Sequence, residues 1–190
     1  MSGRGSRGHD VTWPVKHRQV LNLVGPAILV ALVGLGLGNH RYFRAGVSVV
    51  LLGQLLRIWA AGCLRKGAGL TPHGPFALTR NPLYLGSFTI GIGQCLVCGI
   101  IEAILVFVIL FALIYCPTIA GEERALTADL GESYQEYLKT APRFLPFGGN
   151  WSLARRGFAT RQVFVNREYE AVAANAVFIF VVFVLTNLRG

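Results

Sequence analysis

Charge is what this sequence has least of. Only 14% of its residues are Asp, Glu, Lys or Arg, where a water-soluble domain carries about a quarter. Acidic residues are the scarcer kind, 9 against 18 basic ones, which leaves a net charge of +9. Cysteine is sparse as well, and Cys63, Cys95, Cys98 and Cys116 all fall in apolar stretches. Cys95-x-x-Cys98 has the spacing of half a metal site, but no second pair and no His pair stands near to complete four ligands. No metal centre is expected, and the cysteines read as small packing residues. Gly91-x-Gly93 lacks the third glycine and the strand–turn–helix setting of a dinucleotide fingerprint. A soluble doubly wound methyltransferase or dehydrogenase domain would need alternating strands and helices, and the apolar blocks leave no room for them.

Those blocks are what the chain does have. Of its 190 residues 53% are hydrophobic, and the mean hydropathy is +0.52. A run of roughly 18 apolar residues with almost no charge reads as a membrane span. The sequence predicts an all-α bundle of about five spans, at 20–38, 45–63, 84–100, 103–120 and 171–188, the third short enough to be tilted or re-entrant. Residues 1–19 form a basic tail, and 20–190 a single membrane-embedded domain. No cleavable signal is expected, because the first block is of full span length and lacks a small-residue cleavage site. The linker 64–83, rich in Gly and Pro, cannot be one helix.

The basic excess is sorted by loop, which argues for a membrane rather than for nucleic acid. With five spans and a cytoplasmic N-terminus, Arg4, Arg7, Lys16, Arg18, Arg65, Lys66, Arg80 and every Lys and Arg from Arg124 to Arg167 fall inside. Only Arg41, Arg44 and Arg189 fall outside. The positive-inside rule demands this asymmetry, and it predicts a multi-pass protein of a bacterial-type inner membrane. Arg57 lies within a span, where a cation costs about 2.5–3.5 kcal/mol on insertion scales. It either snorkels to the nearby interface or faces the polar pocket. Gly34-x-x-x-Gly38 offers a small-residue face for close helix packing and would permit a homodimer.

Two polar clusters flank the hairpin formed by the third and fourth blocks. Before it stands "HGPFALTRNPLYLG", containing Gly74-Pro75-Phe76 and Arg80-Asn81-Pro82-Leu83-Tyr84; after it stands Glu122-Glu123. A hairpin that crosses the membrane twice brings both clusters out on one side. Pro82 is suited to the first turn of a helix, and free N–H groups there would face a ligand above Arg80. Glu122 could bind an ammonium, Arg80 a carboxylate, and Phe76 or Tyr84 could stack on a base, so the set suits an amphoteric, partly aromatic molecule. The plain alternative is that Arg80 and Glu122 pair at the surface and cap the bundle. "LGESYQEYL", with Tyr134 and Tyr137, reads as an interfacial helix that breaks before Pro142, and Arg143 then returns towards the membrane.

Leu70 to Pro146 resembles the integral-membrane methyltransferases of the isoprenylcysteine carboxyl methyltransferase and phospholipid N-methyltransferase group. The resemblance rests on Gly74-Pro75-Phe76, Arg80-Asn81-Pro82-Leu83-Tyr84, Glu122-Glu123, Gly131-Glu132-Ser133-Tyr134-Gln135-Glu136-Tyr137 and Arg143-Phe144-Leu145-Pro146, in the family's order and spacing. It implies S-adenosylmethionine bound on the cytoplasmic side by Leu70, Thr71, Gly74, Phe76, Asn81, Pro82, Leu83, Tyr84 and Glu122. It also implies a lipophilic or lipid-like acceptor (an isoprenoid, a thiol or a phospholipid amine) entering from the bilayer, with Arg80, Arg143 and Glu123 at the reacting end. Two positions depart from the pattern. Asn81 stands where His is common and cannot titrate as a base. Thr118 stands where the prenylcysteine enzymes carry a substrate arginine. His73 is a further candidate base. A sterol-reductase-like membrane oxidoreductase and a non-catalytic scaffold are the alternative readings.

Overall fold

The computed structural model describes residues 24–65 and 69–188. Among these residues the chain is wholly helical. In order come α1 (Val24–Gly34), α2 (Phe43–Cys63), a single 3-10 turn at Gly74–Ala77, α3 (Pro82–Cys98) and α4 (Glu102–Leu130). The short α5 (Glu132–Thr140), α6 (Trp151–Ala154) and α7 (Thr160–Val165) follow, and then α8 (Glu168–Asn187). The basic tail 1–19 and the start of the first predicted span lie outside the described residues. Helices α2, α4 and α8 are long and apolar enough to cross a membrane, while α1 and α3 are shorter apolar helices. The whole fits a helical membrane bundle.

The ends of α3 are set by local chemistry. Pro82 occupies the first turn, where its missing N–H has no partner to lose, and Gly99 closes the helix with φ 70°. Seventeen residues span about 25 Å, short of the roughly 30 Å of a bilayer core. The fourth predicted span ends at 120, but α4 runs on to Leu130. Its continuation contains Glu122, Glu123, Arg124, Ala125 and Leu126, all strong helix formers, and nothing stops it until Gly131 at φ 56°.

Helices α2 and α3 run antiparallel in close contact over glycines spaced seven apart on each, Gly46 and Gly53 against Gly93 and Gly86. A Cβ on Gly53 would sit 2.8 Å from the Gly86 carbonyl oxygen, and one on Gly93 2.7 Å from the Val50 backbone nitrogen. Without a hydrophobic drive between helices in lipid, such close approach supplies the packing. The small-residue face expected at Gly34 and Gly38 is only half used within the chain. A Cβ on Gly38 would crowd the Cys98 carbonyl, whereas one on Gly34 would meet nothing within 4 Å. Leu29, Val33, Val50, Ile90, Val97, Phe178 and Val182 form the core that joins α1, α2, α3 and α8, and it includes Cys95 and Cys98.

Candidate active site

The two polar clusters do meet at one end of the bundle. Tyr84, in the first turn of α3, is buried, and its hydroxyl donates to Glu122 Oε1 on α4 at 2.7 Å. Glu123, one residue on, faces two guanidiniums: Arg80 Nη1 at 3.3 Å and Arg143 Nη2 at 2.9 Å. The surface pair expected between Arg80 and Glu122 is therefore replaced by two separate partnerships. Neighbouring residues on a helix point about 100° apart, so Glu122 turns to Tyr84 and Glu123 to the arginines.

Backbone contacts hold the arginines in place. The segment after α5 runs alongside 77–81: Arg80 N–H donates to the Pro142 carbonyl, Asn81 Nδ2 to the Arg143 carbonyl at 2.8 Å, and Asn150 N–H to the Ala77 carbonyl. Asn81 thus acts as a brace between α3 and the Arg143 loop. Arg80 Nε and Glu123 Oε1 are buried and make no hydrogen bond within the protein. Glu123 Oε1 keeps its ion-pair partner, Arg80 Nη1, at 3.3 Å, whereas a buried donor left unmet costs about 1–3 kcal/mol, so Arg80 Nε marks where an outside acceptor atom would gain most.

Of the remaining predicted residues, Leu70 and Phe76 meet the tyrosines of α5. Thr71 and Gly74 are buried, and Leu70 packs on the cluster of Tyr134, Tyr137 and Ala141. The Phe76 carbonyl accepts from the Tyr137 hydroxyl at 2.7 Å. Pro82 is buried and Leu83 half-buried. Burial raises the phenol pKa of both Tyr134 and Tyr137, and the Glu123 carboxylate adds to the rise at Tyr134. Thr118 turns its hydroxyl back to the Ile114 carbonyl of its own helix, so it offers no charge to a substrate. His73 stands apart from the Glu122–Glu123 cluster, on the wall of a cavity shared with Arg65 and Arg156.

Beside Tyr84 lies a continuous aromatic wall. Tyr84 meets Tyr115 edge-on, Tyr115 stacks on Phe111 with centroids 4.2 Å apart, and Phe88 touches Phe107, Phe111 and Phe144. Phe144 comes from the Arg143 loop, so one loop supplies both a guanidinium and a ring.

The chain is distantly similar to a prenylcysteine O-methyltransferase. The protein-S-isoprenylcysteine O-methyltransferase of Schizosaccharomyces pombe is 28% identical over 106 residues, covering 56% of this chain and 44% of that protein. Two bacterial proteins are comparably similar. The nickel-cobalt-cadmium resistance protein NccN of Alcaligenes xylosoxydans is 29% identical over 132 residues, 63% of this chain and 61% of that protein. The cobalt-zinc-cadmium resistance protein CzcN of Cupriavidus metallidurans is 33% identical over 105 residues, 53% of this chain and 46% of that protein. The chain spans about half the length of the curated relatives it matches. No protein-family model and no solved structure matches it.

A second polar cluster, inside the bundle, was only half visible in the sequence. Arg57 on α2 neither snorkels nor reaches the Glu122 site. It forms a two-pronged pair with Glu168 at the start of α8, Nε to Oε1 at 2.7 Å and Nη2 to Oε2 at 3.0 Å. It also donates to the Ser87 hydroxyl on α3. Gln54 donates to Glu168 and accepts from Asn175, which in turn accepts from Gln94. The helical spacing of Gln54 with Arg57, Ser87 with Gln94 and Glu168 with Asn175 was the available signal. Among the described residues no three His, Cys, Asp or Glu side chains converge as metal ligands would.

Proposed function

We propose that this chain is an integral-membrane methyltransferase that uses S-adenosylmethionine and a lipophilic or lipid-like acceptor. The observation that carries the reading is the arrangement around Glu122 and Glu123. A carboxylate oriented by Tyr84 stands beside a carboxylate shared by Arg80 and Arg143, next to an aromatic wall, in a chain distantly similar to a membrane O-methyltransferase.

The donor set fits the cofactor. Its amino-acid end carries an ammonium and a carboxylate, which match Glu122 and the backbone N–H groups at the start of α3. Leu70, Thr71, Gly74, Phe76 and the Asn81–Tyr84 turn would hold the rest. When bound, the cofactor supplies an electrophilic methyl on a sulfonium sulfur. The protein's own part is positioning and the exclusion of water. Arg80, Arg143 and Glu123 orient the polar end of the acceptor, and the rings of Phe88, Phe111, Tyr115 and Phe144 accept its apolar part. The site lies on the cytoplasmic face of an inner-membrane protein, with 20–190 acting as one domain. Thr118, bonded to its own helix, disfavours the free carboxylate of a prenylated cysteine as acceptor.

Isothermal titration of the purified protein with S-adenosylmethionine tests this reading. Absence of binding, or equal binding by Glu122→Ala, would sink it.

A second reading, carried by the two metal-resistance relatives, is that the protein supports tolerance to nickel, cobalt, zinc or cadmium. A deletion strain tested for growth on cadmium, and complemented with wild type or Glu122→Ala, tells whether any such role depends on this site.

A further inference from the structure

A cavity opens at the same end of the bundle, with a volume of about 360 Å³, lined by Arg65, Pro72, His73, Leu153, Arg156 and Gly157. Two guanidiniums and an imidazole face it, and no carboxylate lines it. Near this end Arg57 is matched by Glu168, Arg80 and Arg143 by Glu123, and Arg167 by Glu170, while Arg155 and Arg161 stand in no ion pair among the described residues and lie outside the cavity lining. No ion pair among the described residues engages Arg65 or Arg156. Positive charge has thus been gathered in one concavity and left uncompensated.

The cavity is built by the backbone rather than by chance apposition of side chains. The loop after α6 is pinned to the end of α2, where Ala159 N–H donates to the Gly62 carbonyl at 2.9 Å and Cys63 Sγ lies 3.8 Å from the Arg156 carbonyl. Gly157, at φ 87°, passes so close to the His73 ring that a Cβ would collide with it. The Phe158 ring covers Gly62 in the same way, yet stays half exposed. Trp151, on the short helix that supplies Leu153, is 66% exposed. Exposed aromatics beside basic residues at the end of a membrane helix are the composition of a lipid–water interface.

We propose that this cavity seats the phosphate group of an anionic phospholipid headgroup, with Arg65, His73 and Arg156 as donors and Trp151 and Phe158 flanking it at acyl-chain level. Arginine suits a phosphate oxygen pair through its planar fork. The volume admits a glycerophosphate headgroup, and the interfacial aromatics favour a lipid over a soluble phosphate. The site stands on residues outside the Glu122 cluster and does not depend on the methyltransferase reading.

The test uses the full chain in detergent micelles, titrated with phosphatidylglycerol, with phosphatidylcholine or with inorganic phosphate. Bound lipid is followed by native mass spectrometry and stability by thermal unfolding. Phosphatidylglycerol is expected to bind in preference to phosphatidylcholine and to raise the midpoint. Each arginine replaced by glutamine should weaken it about fivefold, so that Arg65→Gln with Arg156→Gln loses on the order of 25-fold. Both side chains are exposed, so the double variant is expected to fold. Lys139→Gln with Arg161→Gln removes the same charge outside the cavity and should keep the preference. Equal binding of the two lipids, an unaffected Arg65/Arg156 variant, or an equal loss in the Lys139/Arg161 control would overturn the site. Full displacement of the lipid by millimolar inorganic phosphate would overturn its assignment to a lipid.

Discussion

Arg57 and Glu168 meet in a two-pronged ion pair inside the bundle, 111 residues apart in sequence. Glu168 is 5% exposed and Arg57 18%, and the pair ties α8 to α2, with Ser87 extending the tie to α3. Desolvation of both charges offsets much of their attraction, so the pair itself contributes little net stability, while loss of one partner strands the other. Glu168→Ala should therefore lower the unfolding free energy by about 3–5 kcal/mol. Replacing both residues, as Arg57→Met with Glu168→Leu, should recover most of the loss. Unfolding of the two variants in detergent measures this; a double variant as unstable as the single one would contradict it.

The glycine contact between α2 and α3 gives a sharper steric test. Gly53→Ala would place a Cβ 2.8 Å from the Gly86 carbonyl oxygen and 2.9 Å from the Ile90 nitrogen. Backbone atoms cannot step aside as a side-chain tip can, so the helices must separate, at a cost of about 1–3 kcal/mol. Gly121→Ala, on α4, meets nothing within 4 Å and should be neutral or stabilising by up to about 1 kcal/mol through helix propensity. Thermal midpoints of the two variants should move in opposite directions or, at the least, differ clearly.

In the candidate site, the roles of Glu122 and Tyr84 should separate in a binding titration. A hydrogen bond to a charged group is worth about 1.5–3 kcal/mol, so Glu122→Gln should weaken S-adenosylmethionine by roughly 10- to 100-fold. Tyr84→Phe leaves the carboxylate in place but unoriented, and its loss should be smaller. A larger loss for Tyr84→Phe than for Glu122→Gln would contradict the assignment of Glu122 to the cofactor.

Arg80 and Arg143 share Glu123 but not its surroundings. Arg143 is 50% exposed and Arg80 15%. Exposed ion pairs contribute about 0–1 kcal/mol, so Arg143→Ala should unfold close to wild type while reducing methyl transfer to the acceptor. Arg80→Ala removes the less exposed partner and should be the less stable protein. Denaturation and labelled-methyl transfer, run on both variants, give the two orders.

Much of this site was legible in the sequence, because the polar residues stand at the ends of apolar blocks and Pro82 fixes where α3 begins. What the sequence hid was helix phase and helix length. Glu122 and Glu123 are equivalent in a linear reading, and only the rotation of α4 decides that Tyr84 takes one and the arginines the other. Glu168 stands three residues before the apolar block at 171, so a hydropathy reading leaves it in a loop, yet the helix begins with it. Arg57 stands out in the sequence as a cation within an apolar block, but its partner, Glu168, comes from the far end of the chain.

The tyrosines of α5 provide a test by pH. Burial raises the phenol pKa of Tyr137 and of Tyr134 above the ordinary value near 10, so above about pH 10 the unfolded chain loses these protons before the folded one does. The stability that the two phenols contribute is fully present below that pH and is lost as pH rises through the raised values. Tyr137→Phe removes one of the two groups together with its hydrogen bond to the Phe76 carbonyl. The variant should be less stable at neutral pH by about 0.5–1.5 kcal/mol, and its stability should fall less steeply between neutral and strongly alkaline pH. Chemical denaturation across that range is the measurement. Identical alkaline slopes for the variant and wild type would show that the Tyr137 phenol is not held protonated by the packing of α5 against Leu70 and the 3-10 turn.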